Sequence, residues 1–260
     1  MQDTLFKIFF FILGACWGSF LNVLIYRLPR DISIVKPGSF CPHCRNNIKW
    51  YDNIPILSYL LLKGKCRYCK KPISFRYFLV EILSAVLFLF LYSRLGFSIR
   101  FFVMLIFSSL LIIATFTDIE HRIIPDQINL GGLFLGILFS GFFPYLHNKP
   151  TMISSLISCG IGILLGGGLL YISGLIGKII FRKEAMGGGD VKFLAMVGAF
   201  WGPKLVLFSF FTAPFLGAIF GLIWKIKTKK SEIPYGPFLA ITSFLGVFYS
   251  EKVFRYLFGF

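Results

Sequence analysis

ISSLISCGIGILLGGGLLYISGLIGKIIF, residues 153–181, is a run of 29 residues in which Lys178 is the single charged side chain. At 1.5 Å per residue such a helix reaches about 43 Å, more than the ~30 Å hydrocarbon core of a bilayer. The same character recurs outward in both directions, at 5–26, 78–92, 101–116 and 205–224. With 57% hydrophobic residues, 33 Phe and only 15% charged residues, the chain is excluded from the ordinary water-soluble enzymes. The pattern is that of a polytopic membrane protein.

The net charge of +16 would suggest a nucleic-acid partner in a soluble chain. Here the basic residues lie in clusters between the apolar runs, and no nucleic-acid reading module accompanies them, so no nucleic-acid partner is expected. An N-terminus outside and crossings near 5–26, 77–95, 99–117, 123–143, 153–181, 191–200, 205–224 and 235–257 put 20 of the 27 Lys and Arg in cytosolic segments. That bias follows the positive-inside rule. The expected fold is an all-α polytopic membrane protein of about eight transmembrane helices. A small cytosolic zinc-binding domain stands between the first and second. The expected division is 1–27, a first and uncleaved helix; 28–76, the zinc-binding domain; and 77–260, a membrane catalytic core.

The segment 191–200 is too short for a full crossing and runs into Trp201-Gly202-Pro203, so it reads as a half-buried or broken helix. Irregular backbone at membrane depth needs protein or a water-filled cavity around it, which marks a place to look for function. Gly132/Gly136, Gly162/Gly166 and Gly217/Gly221 set small residues four apart, a spacing for close helix packing.

Six cysteines divide into two classes: Cys16 and Cys159 stand alone in apolar runs, whereas Cys41-Pro42-His43-Cys44 and Cys66-Arg67-Tyr68-Cys69 are two C-x-x-C pairs. Two such knuckles offer four thiolates at the spacing of a closed, structural Zn²⁺ site. Disulfides and a redox pair are the rival readings, and a reducing cytosol disfavours the first. His43 is either a replacement ligand or a solvent-facing side chain. A segment of about fifty residues gains much of its stability from such a metal.

Asp and Glu total only 11, and an ionised carboxylate near hydrocarbon normally marks function. Asp118 ends one apolar run, and Asp190 follows Gly187-Gly188-Gly189; both fall at the cytosolic mouth. Two carboxylates close together in a low dielectric share one proton, the equipment of an aspartyl protease. The three glycines let backbone approach a peptide closely. The bland alternatives are that Asp118 pairs with Arg122, that Asp190 pairs with Lys192 or caps a helix, and that the glycines form an interfacial turn. Asp126, after Pro125, reads first as a helix N-cap. Glu81 is either a substrate contact or the buried partner of a basic side chain. Gly187, Gly188, Gly189, Glu81 and Lys192 are the candidate substrate-binding residues.

Several blocks together resemble the type IV prepilin peptidases, membrane aspartyl proteases of the GxGD type. They are Gly18-Ser19-Phe20-Leu21-Asn22-Val23 with Tyr26-Arg27-Leu28-Pro29, the two C-x-x-C knuckles, and Arg76-Tyr77 with Val80-Glu81. Further along come Asp118 to Asp126, Gly187-Gly188-Gly189-Asp190-Val191-Lys192 and Pro234-Tyr235-Gly236-Pro237-Phe238. The resemblance implies a multi-pass enzyme of the bacterial cytoplasmic (inner) membrane that removes the basic leader of type IV prepilins or pseudopilins. Its catalytic aspartates would be Asp118 and Asp190. The zinc domain implies a second activity, N-methylation of the new N-terminus with S-adenosylmethionine. The basic cytosolic face is expected to engage membrane lipids. A peptidase without methylation, and a non-enzymatic scaffold or transporter using its aspartates for ion passage, are the alternatives.

Overall fold

The computed structural model describes residues 2–182, 186–228 and 233–259. Lys183, Lys229 and Lys230, counted above in the cytosolic segments, lie outside them. Among the described residues helix is the regular structure, with no strand beyond two isolated bridges. In order the helices are α1 (Gln2–Arg27), α2 (Leu57–Leu61), α3 (Phe75–Leu95), α4 (Ile99–His121), α5 (Asp126–Phe142), α6 (Met152–Phe181), α7 (Gly188–Thr228) and α8 (Gly236–Phe258). Among the described residues five stretches are long and apolar enough to cross a membrane: Asp3–Arg30, Phe75–Leu95, Ile99–His121, Met152–Ile180 and Gly188–Ile223. The expectation of an all-α polytopic membrane protein is thereby met.

The two crossings expected at 191–200 and 205–224 are the two limbs of α7. A straight helix of its 41 residues would run about 62 Å, twice the hydrocarbon core, and a kink resolves the misfit. The kink lies at Gly202, whose φ of 77° and ψ of −172° are non-helical. Pro203 disfavours the α conformation in the residue before it, and a Cβ on Gly202 would lie 2.8 Å from Ser158 Oγ and 2.9 Å from His147 Nδ1. Only glycine satisfies both demands.

The chain forms two compact units, Met1–Ile113 and Ala114–Phe260. In the first, α1 lies directly against α3: a Cβ on Gly14 would sit 2.7 Å from the Ser84 carbonyl oxygen, and one on Gly18 2.8 Å from Glu81 Cα. Trp17 Nε1 donates to Ser109 Oγ at 2.8 Å and buried Asn22 Nδ2 to the Tyr77 carbonyl at 2.9 Å, so α1 is also tied by polar groups.

In the second unit α6 and α7 meet backbone to backbone. A Cβ on Gly198 would lie 2.1 Å from the Gly162 carbonyl oxygen, and one on Gly166 2.3 Å from that of Leu194. Gly136 on α5 also packs closely, with Ala199 Cβ 2.8 Å from where its own Cβ would stand. Behind the kink, buried His147 holds Ser140 Oγ at 2.7 Å through Nε2 and Ser158 Oγ at 3.2 Å through Nδ1, while Ser140 Oγ reaches the Ala199 carbonyl at 2.9 Å. This knot satisfies polar groups that have no water to turn to.

Gly198→Leu is expected to prevent α6 and α7 from closing, because the clash is with backbone and cannot relax by rotamer change; a destabilisation of more than about 3 kcal/mol follows. Monodisperse, wild-type-stable Gly198→Leu in detergent would contradict this. Burial pushes the His147 pKa down to about 4, so the folded state favours the neutral ring. The knot's contribution is complete above the free imidazole value of about 6.5 and is lost as pH falls from there towards 4. Going from pH 7 to pH 5 should remove about 2 kcal/mol, read as a falling melting temperature. His147→Gln should flatten that slope; an unchanged slope in the variant would assign it to other groups.

Candidate active site

The cysteine segment is built from two equivalent knuckles. In the first, Cys41 N–H donates to the Asn46 carbonyl at 3.0 Å and Arg45 N–H to that of Cys41 at 2.8 Å. In the second, Cys66 N–H donates to the Lys71 carbonyl at 2.9 Å and Lys70 N–H to that of Cys66 at 3.0 Å. Arg45 and Lys70 both turn through φ of 58°, which bends each knuckle so that its two sulfurs face one point. Cys41 Sγ and Cys69 Sγ are 3.9 Å apart, Cys44 Sγ and Cys66 Sγ 4.0 Å, and all four lie within 4.8 Å of one another. Those separations are far beyond a disulfide and close to the ~3.8 Å edge of a tetrahedron with 2.3 Å metal–sulfur bonds. The four cysteines could therefore hold a metal ion, and His43 is exposed and outside the group. Arg67 Nε and Nη2 grip Asp52 at 2.8 and 2.6 Å, which holds that carboxyl below the usual carboxylate range.

Glu81 is buried, and its Oε2 accepts from Ile56 N–H at 2.6 Å. Ile56 has φ of 65°, costly for a β-branched residue, so the carboxylate pins a strained turn of the cysteine segment to α3. Its partners in the structure are the backbone amide of Ile56 and the side chain of Ser19.

In the second unit, buried Asp118 lies in the last turn of α4 and Asp190 in the first turn of α7. They are close enough for their charges to interact, and Arg122, one turn beyond Asp118, is within electrostatic reach of it. Asp118 Oδ2 accepts from Gly236 N–H at 2.8 Å; Asp190 Oδ1 is buried and makes no hydrogen bond among the described residues. Gly187 lies beside the other oxygen of Asp190: a Cβ there would stand 3.1 Å from Oδ2. Gly187 and Gly188 are exposed, leaving backbone accessible next to the carboxylate. Burial, and after it the charge of Asp190, push the Tyr235 phenol up to about 12, so this neighbour stays protonated in any ordinary buffer.

Two local expectations are corrected. Lys192 pairs with Asp126, Nζ to Oδ1 2.7 Å and to Oδ2 2.9 Å, and not with Asp190. The N-cap of α5 is Pro125, and Asp126 is its first helical residue, with its carboxylate committed to Lys192. Sequence reasoning also missed Asn129, fully buried on α5, whose Nδ2 donates to the Gly189 carbonyl at 3.1 Å. An Asn inside an apolar run was the available signal.

Residues 12–95 match the family model of the bacterial peptidase A24 N-terminal domain, and residues 105–222 that of the type IV leader peptidase family. A prepilin leader peptidase/N-methyltransferase of Xanthomonas campestris is 34% identical over 267 residues, covering 93% of this chain and 90% of that protein. The chain belongs to the type IV leader peptidase family. That family is one of aspartic peptidases. A family member of the same description from Pseudomonas aeruginosa is 31% identical over 271 residues, covering 94% of this chain and 90% of its own. Another from Myxococcus xanthus is 38% identical over 227 residues, and the present chain spans 65% of its length. No solved structure matches the chain.

Removing one sulfur should empty the cysteine centre. Purified wild type is expected to carry about one metal ion per chain by plasma mass spectrometry, and Cys41→Ser or Cys66→Ser less than about a tenth of that. Full metal content in either variant would show that the ion sits elsewhere.

Proposed function

We propose that this chain removes the leader of type IV prepilins or pseudopilins, with Asp118 and Asp190 as the catalytic pair, and methylates the N-terminus so released. The observation that carries the reading is that the two carboxylates lie 72 residues apart in sequence yet within electrostatic reach at helix ends of one compact unit. The relatives' printed names supply the substrate class and the second activity.

The chemistry follows from a pair that shares one proton. The ionised carboxylate takes a proton from water as its oxygen bonds to the scissile carbonyl carbon, and the neutral one gives its proton to the carbonyl oxygen. The resulting gem-diol collapses: the carboxylate that gave up its proton takes one from a gem-diol hydroxyl as the carbonyl re-forms, the C–N bond breaks, and the other carboxyl gives its proton to the leaving amine nitrogen, so the pair again holds one proton. Gly187, Gly188 and Gly189 allow a substrate backbone to lie against Asp190. Asn129 and the Asp126–Lys192 pair hold that glycine segment onto α5.

Segment 28–76 is assigned as a zinc-binding domain on the cytosolic side, followed by a catalytic core over 77–260. Four cysteines fill a tetrahedral Zn²⁺ and leave no open position, so the metal's role there is structural. The cytosolic placement rests on the charge bias, which also favours anionic headgroups by about 1 kcal/mol per Lys or Arg. S-adenosylmethionine is the methyl donor that the relatives' names imply; no step is assigned to the chain's residues for it.

In reconstituted vesicles with a prepilin and labelled S-adenosylmethionine, Asp118→Asn and Asp190→Asn are each expected to slow cleavage by about a thousandfold or more while inserting normally. Label should appear on mature pilin only where cleavage proceeds. Wild-type cleavage by either variant would remove the pair, and no cleavage by the wild type of any prepilin would favour a scaffold or transporter.

A further inference from the structure

The amide of Gly236 is among the first N–H groups of α8, which have no carbonyl within the helix to bond. It points at a carboxylate oxygen of Asp118, 2.8 Å away, from a buried position. A Cβ on this residue would stand 2.8 Å from Asp118 Oδ2 and 3.2 Å from both its Cβ and Cγ. The same residue thus supplies a donor to the carboxylate and, by lacking a side chain, the space that the carboxylate fills. Its neighbours fix it: Tyr235 is in the right-handed helical conformation and receives Phe238 N–H at 3.1 Å, and Pro237 occupies the first turn.

The surroundings of the two carboxylates are unequal. Asp118 has the Gly236 amide, the positive end of α8 and the charge of Arg122 within reach. On the Asp190 side, Lys192 is committed to Asp126, and Oδ1 is buried without a hydrogen bond among the described residues. An N–H donor and a nearby cation favour the ionised carboxylate over the neutral acid.

We infer that Gly236 is a positioning residue of the active site, orienting Asp118 and holding it as the ionised member that takes the proton from water, which leaves the shared proton on Asp190. The inference rests on the catalytic reading of the aspartate pair given above. The proton balance is unchanged: water gives its proton to Asp118, and Asp190 gives its own to the carbonyl oxygen.

The test compares wild type, Gly236→Ala, Gly217→Ala and Asp118→Asn in prepilin cleavage as a function of pH. A methyl group at Gly236 meets Oδ2, Cγ and Cβ of Asp118 and forces that side chain aside. Gly236→Ala should therefore lower kcat by about 10- to 100-fold, leave KM within about threefold, and move the acidic limb of the pH profile upward by about one unit. Gly217→Ala is the control, because its Cβ would meet Phe238 at an ordinary 3.6 Å, and should behave as wild type. An unaltered kcat and pH profile in Gly236→Ala, with Asp118→Asn inactive, would overturn the positioning role and leave the aspartate pair standing. Cleavage by Asp118→Asn would overturn both.

A measurement on the unaltered site guards against a variant that fails to fold. Tyr235-Gly236 is the one Tyr–Gly pair in the sequence, so carbonyl-¹³C tyrosine with ¹⁵N glycine gives a single labelled amide in the full chain in detergent. That amide should shift with pH as Asp118 titrates and lose the dependence in Asp118→Asn. A flat, identical signal in both proteins would overturn the inference.

Discussion

Gly162 and Gly198 let two helix backbones touch, and much of the second unit is organised by that contact. In lipid there is no hydrophobic drive to push helices together, so packing of small residues and buried hydrogen bonds must do it. The α6–α7 seam runs from Gly162 and Gly198 to Gly166 against Leu194, about one turn from Asp190. Close backbone contact tolerates little sliding. The seam therefore sets the height of Asp190 relative to α6, and the Gly202 kink just beyond lets the rest of α7 take another direction without disturbing it.

Polar groups near the carboxylates are settled by short-range exchanges. The Gly189 carbonyl goes to Asn129, Lys192 to Asp126 and one oxygen of Asp118 to the Gly236 amide. Each arrangement joins segments distant in sequence, and each involves backbone or a charge already partnered. What remains among the described residues is one buried oxygen of Asp190 and the amide oxygen of Asn129, beside exposed glycine backbone. Uncommitted polarity is thereby concentrated where a peptide and a water would meet, the distribution expected of a preorganised site.

How much of this was legible in the sequence depended on the range of the interaction. The four cysteines were readable because each knuckle is local: a turn of six residues fixes where two sulfurs point. Asp118 and Asp190 were readable as candidates because carboxylates beside apolar runs are rare. The break near Trp201-Gly202-Pro203 was readable from backbone chemistry, although it bends one helix in place of separating two. Partners were another matter. Lys192 stands two residues from Asp190 but bonds Asp126, since neighbours two apart point to different sides of a helix. Glu81 holds the amide of Ile56, and Asp118 that of Gly236; a backbone N–H is present at almost every residue, so no residue type announces such a donor.

The near-identity of the two cysteine knuckles bears on how a metal would be captured. Each half has its own hydrogen bonds and its own left-handed residue, at Arg45 and at Lys70, and so presents two sulfurs without help from the other. Either half would offer two sulfurs to an incoming ion. The second half is tethered by the 21 residues between Cys44 and Cys66, a span already folded around α2 and the Asp52–Arg67 pair. It therefore arrives at a high effective concentration, and closure of the site becomes an intramolecular step. An ion let go by one half would still be held by the other, which would make its retention a matter of kinetics as much as of affinity.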